Sequence, residues 1–181
     1  MDSSMIGSVM QFHIDSTDPE TFVVGQLVYL GDEWFLIQSI APSGHWDGIM
    51  LLLCSDVVAV DTHSEYLQKM GRLLPWRGTV PSAFPRLHDE PLPELLNWAI
   101  TTGMFVALEL HMSGTRDVVG CVRSCREGMV CVEQVDEYGF PDGISFVSIP
   151  SVTRCFLGDD DLQCLQFLAR NPAPNEKMGT V

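Results

Sequence analysis

Short apolar–polar alternations recur along the chain, and each runs between turn-forming residues. In the second half, Asp117–Cys125 places Val118, Gly120 and Val122 on one face and Val119, Cys121 and Cys125 on the other. That period of two predicts a strand. Met104–His111, Met129–Val135, Gly143–Ile149 and Val152–Leu157 have strand composition too, with turns predicted at Ser113-Gly114, Glu127-Gly128, Asp142-Gly143 and Pro150-Ser151. The period then lengthens. Leu162, Leu165, Phe167 and Leu168 predict a helix over Asp159–Arg170 with Asp159 as its cap. The first half follows the same plan, with strands predicted at Val9–Ile14, Thr21–Leu30, Glu33–Ile40, Gly48–Cys54 and Val57–Asp61. A helix follows from His63 to Leu74, where Thr62 and Glu65 have capping-box spacing and Tyr66, Leu67, Met70 and Leu74 form the inward face.

The two plans keep one offset. Gly48 and Gly143 lie 143 − 48 = 95 positions apart, as do Asp47 and Asp142, Gly44 and Gly139, and Gly25 and Gly120. Val23, Val24, Ile49, Val57 and Leu67 fall on Val118, Val119, Ile144, Val152 and Leu162 at the same offset. A constant period of this size predicts two copies of one small folding unit. The shared positions are turn glycines and apolar core, which specify a backbone. They contain no reactive set.

Between the halves, Pro75, Pro81, Pro85, Pro91 and Pro93 predict an extended connector, ending in a short helix from Pro93 to Ile100 with Leu95, Leu96 and Ile100 buried. The expected division is 1–74 for a first small barrel with its helix, 75–102 for the proline-rich connector and short helix, 103–170 for a second barrel with its helix, and 171–181 as a loose tail. Five short antiparallel strands and a helix in about 60 residues is the plan of a small SH3-like barrel. The predicted fold is therefore mainly β, as two tandem five-stranded antiparallel barrels.

Over Pro91–Leu157 the order is helix, then five strands, and this resembles the Sm-like (Lsm) barrel. The stretches Asp47-Gly48-Ile49 to Leu67 and Asp142-Gly143-Ile144 to Leu162 are also similar to a pattern in small uncharacterised bacterial proteins. The resemblance implies RNA binding through two loops, the first offering Asp and Asn and the second Arg-Gly. Here the first loops read Gly31-Asp32-Glu33 and Arg126-Glu127-Gly128, and the second read Ser55-Asp56 and Pro150-Ser151. Neither the Asn nor the Arg-Gly is present, and acids stand where phosphate contacts would lie. The resemblance also implies that strand four of one unit pairs with strand five of the next. A tandem repeat can satisfy one such pair within the chain and leave one edge on each copy.

Charge and chemistry narrow the function classes. The 181 residues carry 24 acidic and 10 basic side chains, a net charge of −14, which repels nucleic acid and anionic membranes. The chain is 46% apolar, and its longest apolar stretch, Ile49–Cys54, is too short to cross a bilayer. Met1-Asp2-Ser3-Ser4 places an acid where a signal peptide carries Lys or Arg, so a cytoplasmic protein is expected. Cys54, Cys121, Cys125, Cys131, Cys155 and Cys164 contain no Cys-x-x-Cys pair and read as small buried hydrophobes. His13, His45, His63, His88 and His111 show no ligand spacing. Asp159-Asp160-Asp161 complements a helix dipole and lacks the alternation of a calcium loop.

No residue is therefore assigned to catalysis, cofactor binding or a metal. Ile49–Cys54 is apolar on both faces, so it is expected either to lie against the connector or second copy, or to form a subunit interface. The leading expectation is a non-enzymatic protein-interaction or structural module, with an unknown protein or a second copy as partner. The alternatives are a degenerate Sm-like RNA binder and a small enzyme with a site between the barrels.

Overall fold

The computed structural model describes residues 1–15, 18, 20–77 and 85–172. Ten strands run in chain order: β1 (Val9–His13), β2 (Phe22–Leu30), β3 (Trp34–Ile40), β4 (Trp46–Leu53), β5 (Ala59–Asp61), β6 (Phe105–Leu110), β7 (Val118–Arg126), β8 (Met129–Val135), β9 (Pro141–Ser148) and β10 (Val152–Leu157). Three helices accompany them: α1 (Glu65–Arg77), α2 (Pro91–Thr102) and α3 (Asp160–Arg170). All strand pairs are antiparallel, and the ten join in one open sheet ordered β5-β1-β2-β3-β4-β10-β6-β7-β8-β9. The mainly β expectation holds, and where two separate five-stranded barrels were expected the ten strands join in one open sheet. The halves share a strand order (fifth, first, second, third, fourth) and meet where β4 pairs with β10.

The core follows from the alternation. Met10, Phe12, Leu27, Phe35, Ile37 and Leu52 close one cluster in the first half. The opposite face of β3 and β4 (Trp34, Leu36, Ile49 and Leu51) merges with Leu92, Leu95, Leu96 and Ala99 of α2 and with the second half's interior at Val106, Val122, Val132 and Leu157. This is why Ile49–Leu53 needs two apolar faces: α2 covers one of them, and β10 takes its edge. Helix α1 buries Leu67 and Met70 against Val24 and Ile40. Helix α3 buries Leu162 near Phe105, Val119 and Val135.

Several local expectations are corrected. Asp47-Gly48 and Asp142-Gly143 are not hairpin loops but β-bulges inside β4 and β9. Two residues there oppose one on the neighbouring strand, and the glycines take φ of +67° and +91°. The loops lie just before, closed by Ala41 N–H to the His45 carbonyl and by Asp136 N–H to the Phe140 carbonyl, both at 2.9 Å. Helix α1 continues through Pro75 to Arg77, and its first turn is capped by the Ser64 hydroxyl, which accepts the Leu67 N–H at 3.2 Å, rather than by Thr62. Helix α2 starts at Pro91 and leaves Ile100 exposed. Phe167 and Leu168 are exposed, while the sheet-facing side of α3 is formed by Leu162, Ala169 and Gln166, whose Oε1 accepts the Phe105 N–H at 2.8 Å. Asp159 caps α3 as expected, accepting the Leu162 N–H at 2.9 Å. Pro81 and the tail from residue 173 lie outside the described residues.

Candidate interaction edge

The open sheet ends in two strands with one neighbour each. One is the three-residue β5, and the other is the eight-residue β9. An edge presents unpaired N–H and C=O groups to any strand that can align with it. Short edges are protected by their length; β9 is not short, and its outer face carries large apolar side chains.

The offset of 95 residues makes the comparison with β3 and β4 direct. Trp34 is 9% exposed and Met129, its counterpart, 38%; Ile49 is 6% exposed and Ile144 59%; Leu51 is fully buried and Phe146 is 71% exposed. The residue type stays apolar at all three positions while the cover disappears. In the first half that cover is β10 and α2, and on β9 no element of the described residues replaces it. Isolated exposed hydrophobes are ordinary, whereas here Ile144 and Phe146 of the edge strand and Met129 of its neighbour β8 are exposed together.

The bulges repeat this contrast. A Cβ on Gly48 would strike the Leu157 carbonyl and the Asp159 amide, because the end of β10 lies directly over it, whereas a Cβ on Gly143 would meet open space. Asp47 accepts the first N–H of α3, from Asp160, at 2.8 Å. Asp142 keeps the side chain but stands exposed with no such donor beside it.

Residues considered for chemistry are distributed as follows. Gly31-Asp32-Glu33 lies at one end of a cleft of about 700 Å³, with Tyr29 and Trp34 on one wall and His88–Pro93, Ile149, Pro150 and Val152 on the other. Tyr29 donates to the His88 carbonyl at 2.7 Å, and burial, with Glu94, Asp89 and Asp32 nearby, pushes its pKa up. The cleft is acidic, with Asp32, Glu33, Asp89 and Glu90 on its walls, and it offers no cationic side chain to a phosphate. Arg126-Glu127-Gly128 forms the β7–β8 turn, whose Gly128 carbonyl accepts the N–H of Ile149 from the cleft wall at 2.8 Å, while Ser55-Asp56 and Pro150-Ser151 lie in 3-10 turns that lead into β5 and β10.

Two constellations had no spacing signal in the sequence. His45, Asp47 and Asp160 bring one imidazole nitrogen and two carboxylate oxygens within 4.8 Å of one another, the one such metal-ligating group among the described residues. His45 Nε2 is 2.8 Å from the Asp160 carboxylate and its Nδ1 is 2.8 Å from the Ser43 hydroxyl. The group clamps the β3–β4 loop to the start of α3, and the same atoms could hold a divalent cation. The second constellation is buried. Arg154 Nη1 donates to Glu109 Oε2 at 3.1 Å, its Nε lies 3.7 Å from Asp56 Oδ2, and its Nη2 donates to the Ile14 carbonyl at 3.3 Å. Burial raises the Asp56 pKa, an effect that Arg154 and the Ser55 hydroxyl oppose. Glu109 is the one acid in an otherwise apolar strand, and Arg154 the one charge in β10.

Of the other histidines, His13 pairs with Asp61 at 3.0 Å, His63 Nδ1 with the Thr62 hydroxyl at 2.8 Å and His88 with Glu94 at 3.5 Å. Of the cysteines only Cys155 is fully buried, and burial drives its thiol pKa strongly upward. Cys54, Cys121, Cys125 and Cys131 are half-buried and Cys164 is exposed, so the expectation of buried cysteines holds for one of six. No helix among the described residues is long and apolar enough to cross a membrane. No family model, curated protein or solved structure matches the chain.

Proposed function

We propose that this protein is a non-enzymatic interaction module that works by adding strands to its β9 edge, and that its two halves are copies of one small SH3/Sm-like barrel. The observation that carries the interaction reading is the exposure of Ile144 and Phe146 beside the free backbone of β9, at positions whose counterparts are core. Strand addition supplies affinity through main-chain hydrogen bonds and specificity through alternate side chains. The duplication reading is supported by the repeated strand order, the matching bulges and loops, and the docking of α1 and α3 on equivalent residues. The acidic cleft disfavours the RNA-binding alternative. The enzyme alternative would rest on Ser43, whose hydroxyl lies 2.8 Å from His45 Nδ1 while His45 Nε2 lies 2.8 Å from the Asp160 carboxylate, but Ser43 and Asp160 are exposed and do not line the cleft described above.

The test compares immobilised wild-type chain with the Ile144→Glu/Phe146→Glu variant, both checked for native circular dichroism, as bait for soluble proteins of the native host. Complexes that form on the wild type and are lost on the variant support the reading. Identical capture by both baits sinks it, and micromolar RNA binding that disappears with added salt would favour the alternative.

A further inference from the structure

The chain contains one finished example of how its β9 edge can be covered. Inside the molecule, β4 pairs with β10 through Leu52↔Arg154, Leu51↔Cys155, Met50↔Phe156 and Ile49↔Leu157. Moving β4 forward by the repeat offset gives β9, and moving β10 back by it gives β5. The two strands produced are the two free edges of the sheet. We propose that β9 of one chain pairs with β5 of a second copy in the same register, placing Val147 opposite Ala59, Phe146 opposite Val60, Ser145 opposite Asp61 and Ile144 opposite Thr62. This rests on the edge-strand reading above and names the partner.

Three independent features converge on that register. The first is burial: Leu51 and Cys155 form the fully buried pair of the internal junction, and their counterparts are exposed Phe146 and half-buried Val60, both apolar. The second is polar. Asp47 reaches across the internal junction to the Asp160 N–H at the start of α3. Its counterpart, Asp142, would reach the N–H of Glu65, the first residue of α1, on the incoming chain. Among the described residues Asp142 has no such use within its own chain, and an acid at a helix N-terminus is favourable on charge grounds as well. The third is space. The Gly143 bulge is open where the Gly48 bulge is filled, and Thr62 and Ser64 of the incoming chain would occupy it as Leu157 and Asp159 occupy the other.

A groove of about 740 Å³ runs along β5, lined by Met5, Leu30, Asp32, Val57 and Val60, and the β7–β8 turn of the partner copy would enter it. The same offset sets Met1–Ile6 where the last turns of α2 lie in the internal junction. The exposed Met1 and Ile6 of the incoming chain would thereby cover Ile144 and Phe146. The contact is heterologous, because the two surfaces differ, so addition continues until a ring closes.

Sedimentation and light scattering of the full chain over a concentration series test the association. The wild type should exceed its monomer mass of 20.1 kDa as concentration rises, and Ile144→Glu/Phe146→Glu should remain monomeric with unchanged thermal unfolding. Asp142→Ala, an exposed substitution, should weaken association about tenfold, the expected effect of losing a charge-assisted hydrogen bond. Orientation is tested by oxidative cross-linking in a Cys164→Ser background. A mixture of Asp61→Cys and Ser145→Cys chains should give a disulfide-linked dimer and the double variant a ladder, while neither single variant cross-links alone. Cross-linking by Ser145→Cys alone would show two β9 edges meeting and overturn the proposal. A wild type that stays monomeric to millimolar concentration overturns it too. If that monomer still captures host proteins through Ile144 and Phe146, self-pairing fails while the edge-strand reading stands.

Discussion

Arg154→Met should be among the most damaging single substitutions in the protein. Arg154 is the one cation set between two buried carboxylates, Glu109 and Asp56, and it also donates to the Ile14 carbonyl. Methionine fills similar volume and leaves both acids without a counter-ion. Removing one partner of a buried pair costs about 3–5 kcal/mol, and the unmatched Ile14 carbonyl adds about 1 kcal/mol. Of a total stability of about 5–15 kcal/mol this is a large share. With a urea slope of about 2 kcal/mol/M, the unfolding midpoint should fall by about 2 M. The pH dependence gives the argument its sharper test. An acid whose folded pKa is raised contributes stability below its unfolded pKa and loses that contribution as pH rises through the folded value. Asp56 is already raised by burial with Arg154 present, and without the opposing charge of Arg154 it should rise further. The penalty of Arg154→Met should therefore shrink as pH is lowered from 7 to 5. A loss below about 1 kcal/mol at pH 7, or one that does not change with pH, would refute this account of the network.

Other measurements probe different parts of the structure. Gly48→Ala should cost about 2 kcal/mol or more, since it adds a steric clash with Leu157 and Asp159 to the strain of positive φ, whereas Gly143→Ala should cost only the strain, about 1 kcal/mol. Equal losses in denaturant titrations would contradict the difference between the two bulges. The Asp117 carboxyl should titrate below the usual carboxylate range by NMR, because it accepts hydrogen bonds from the Ser113 hydroxyl, the Leu110 N–H and the Thr115 hydroxyl. Its depressed pKa places its contribution above the unfolded value and removes it as pH falls through the folded one, so Asp117→Asn should flatten the acid limb of the stability curve.

Strands were legible because alternation and turn residues are local signals. Every predicted strand lies within two residues of an observed one, from Val9–His13 to Val152–Leu157. Junctions were harder to read. Asp47-Gly48 has the composition of a hairpin turn, but the loop was already closed by Ala41 and His45, and the spare glycine became a bulge. Pro75 was read as a helix stop, yet it sits in the last turn of α1, where its missing N–H forfeits a single bond. Apolar stripes were overextended at Ile100, Phe167 and Leu168, because a period tells which face is apolar and not how far its cover reaches. The candidate edge was half visible: the apolar character of β4 was plain, but the exposed strand is its counterpart β9, where Ile144 and Phe146 alternate with serine and look ordinary. His45 with Asp160, and Asp56 with Arg154, are about a hundred residues apart in sequence, and only the folded sheet brings them together.

The junction of β4 with β10 also has a consequence for synthesis. Leu53 ends β4, and Val152, the first residue of its partner, is about a hundred residues downstream. At a translation rate of about 5–20 residues per second, the first half waits roughly 5–20 s with Leu51 and Ile49 uncovered. During that interval the nascent chain shows a long apolar edge that the finished protein hides, and neighbouring chains on one message would show the same edge. Early-emerging α2 can cover the Leu51 face before β10 exists, so the connector that joins the halves also shields the first of them during its wait.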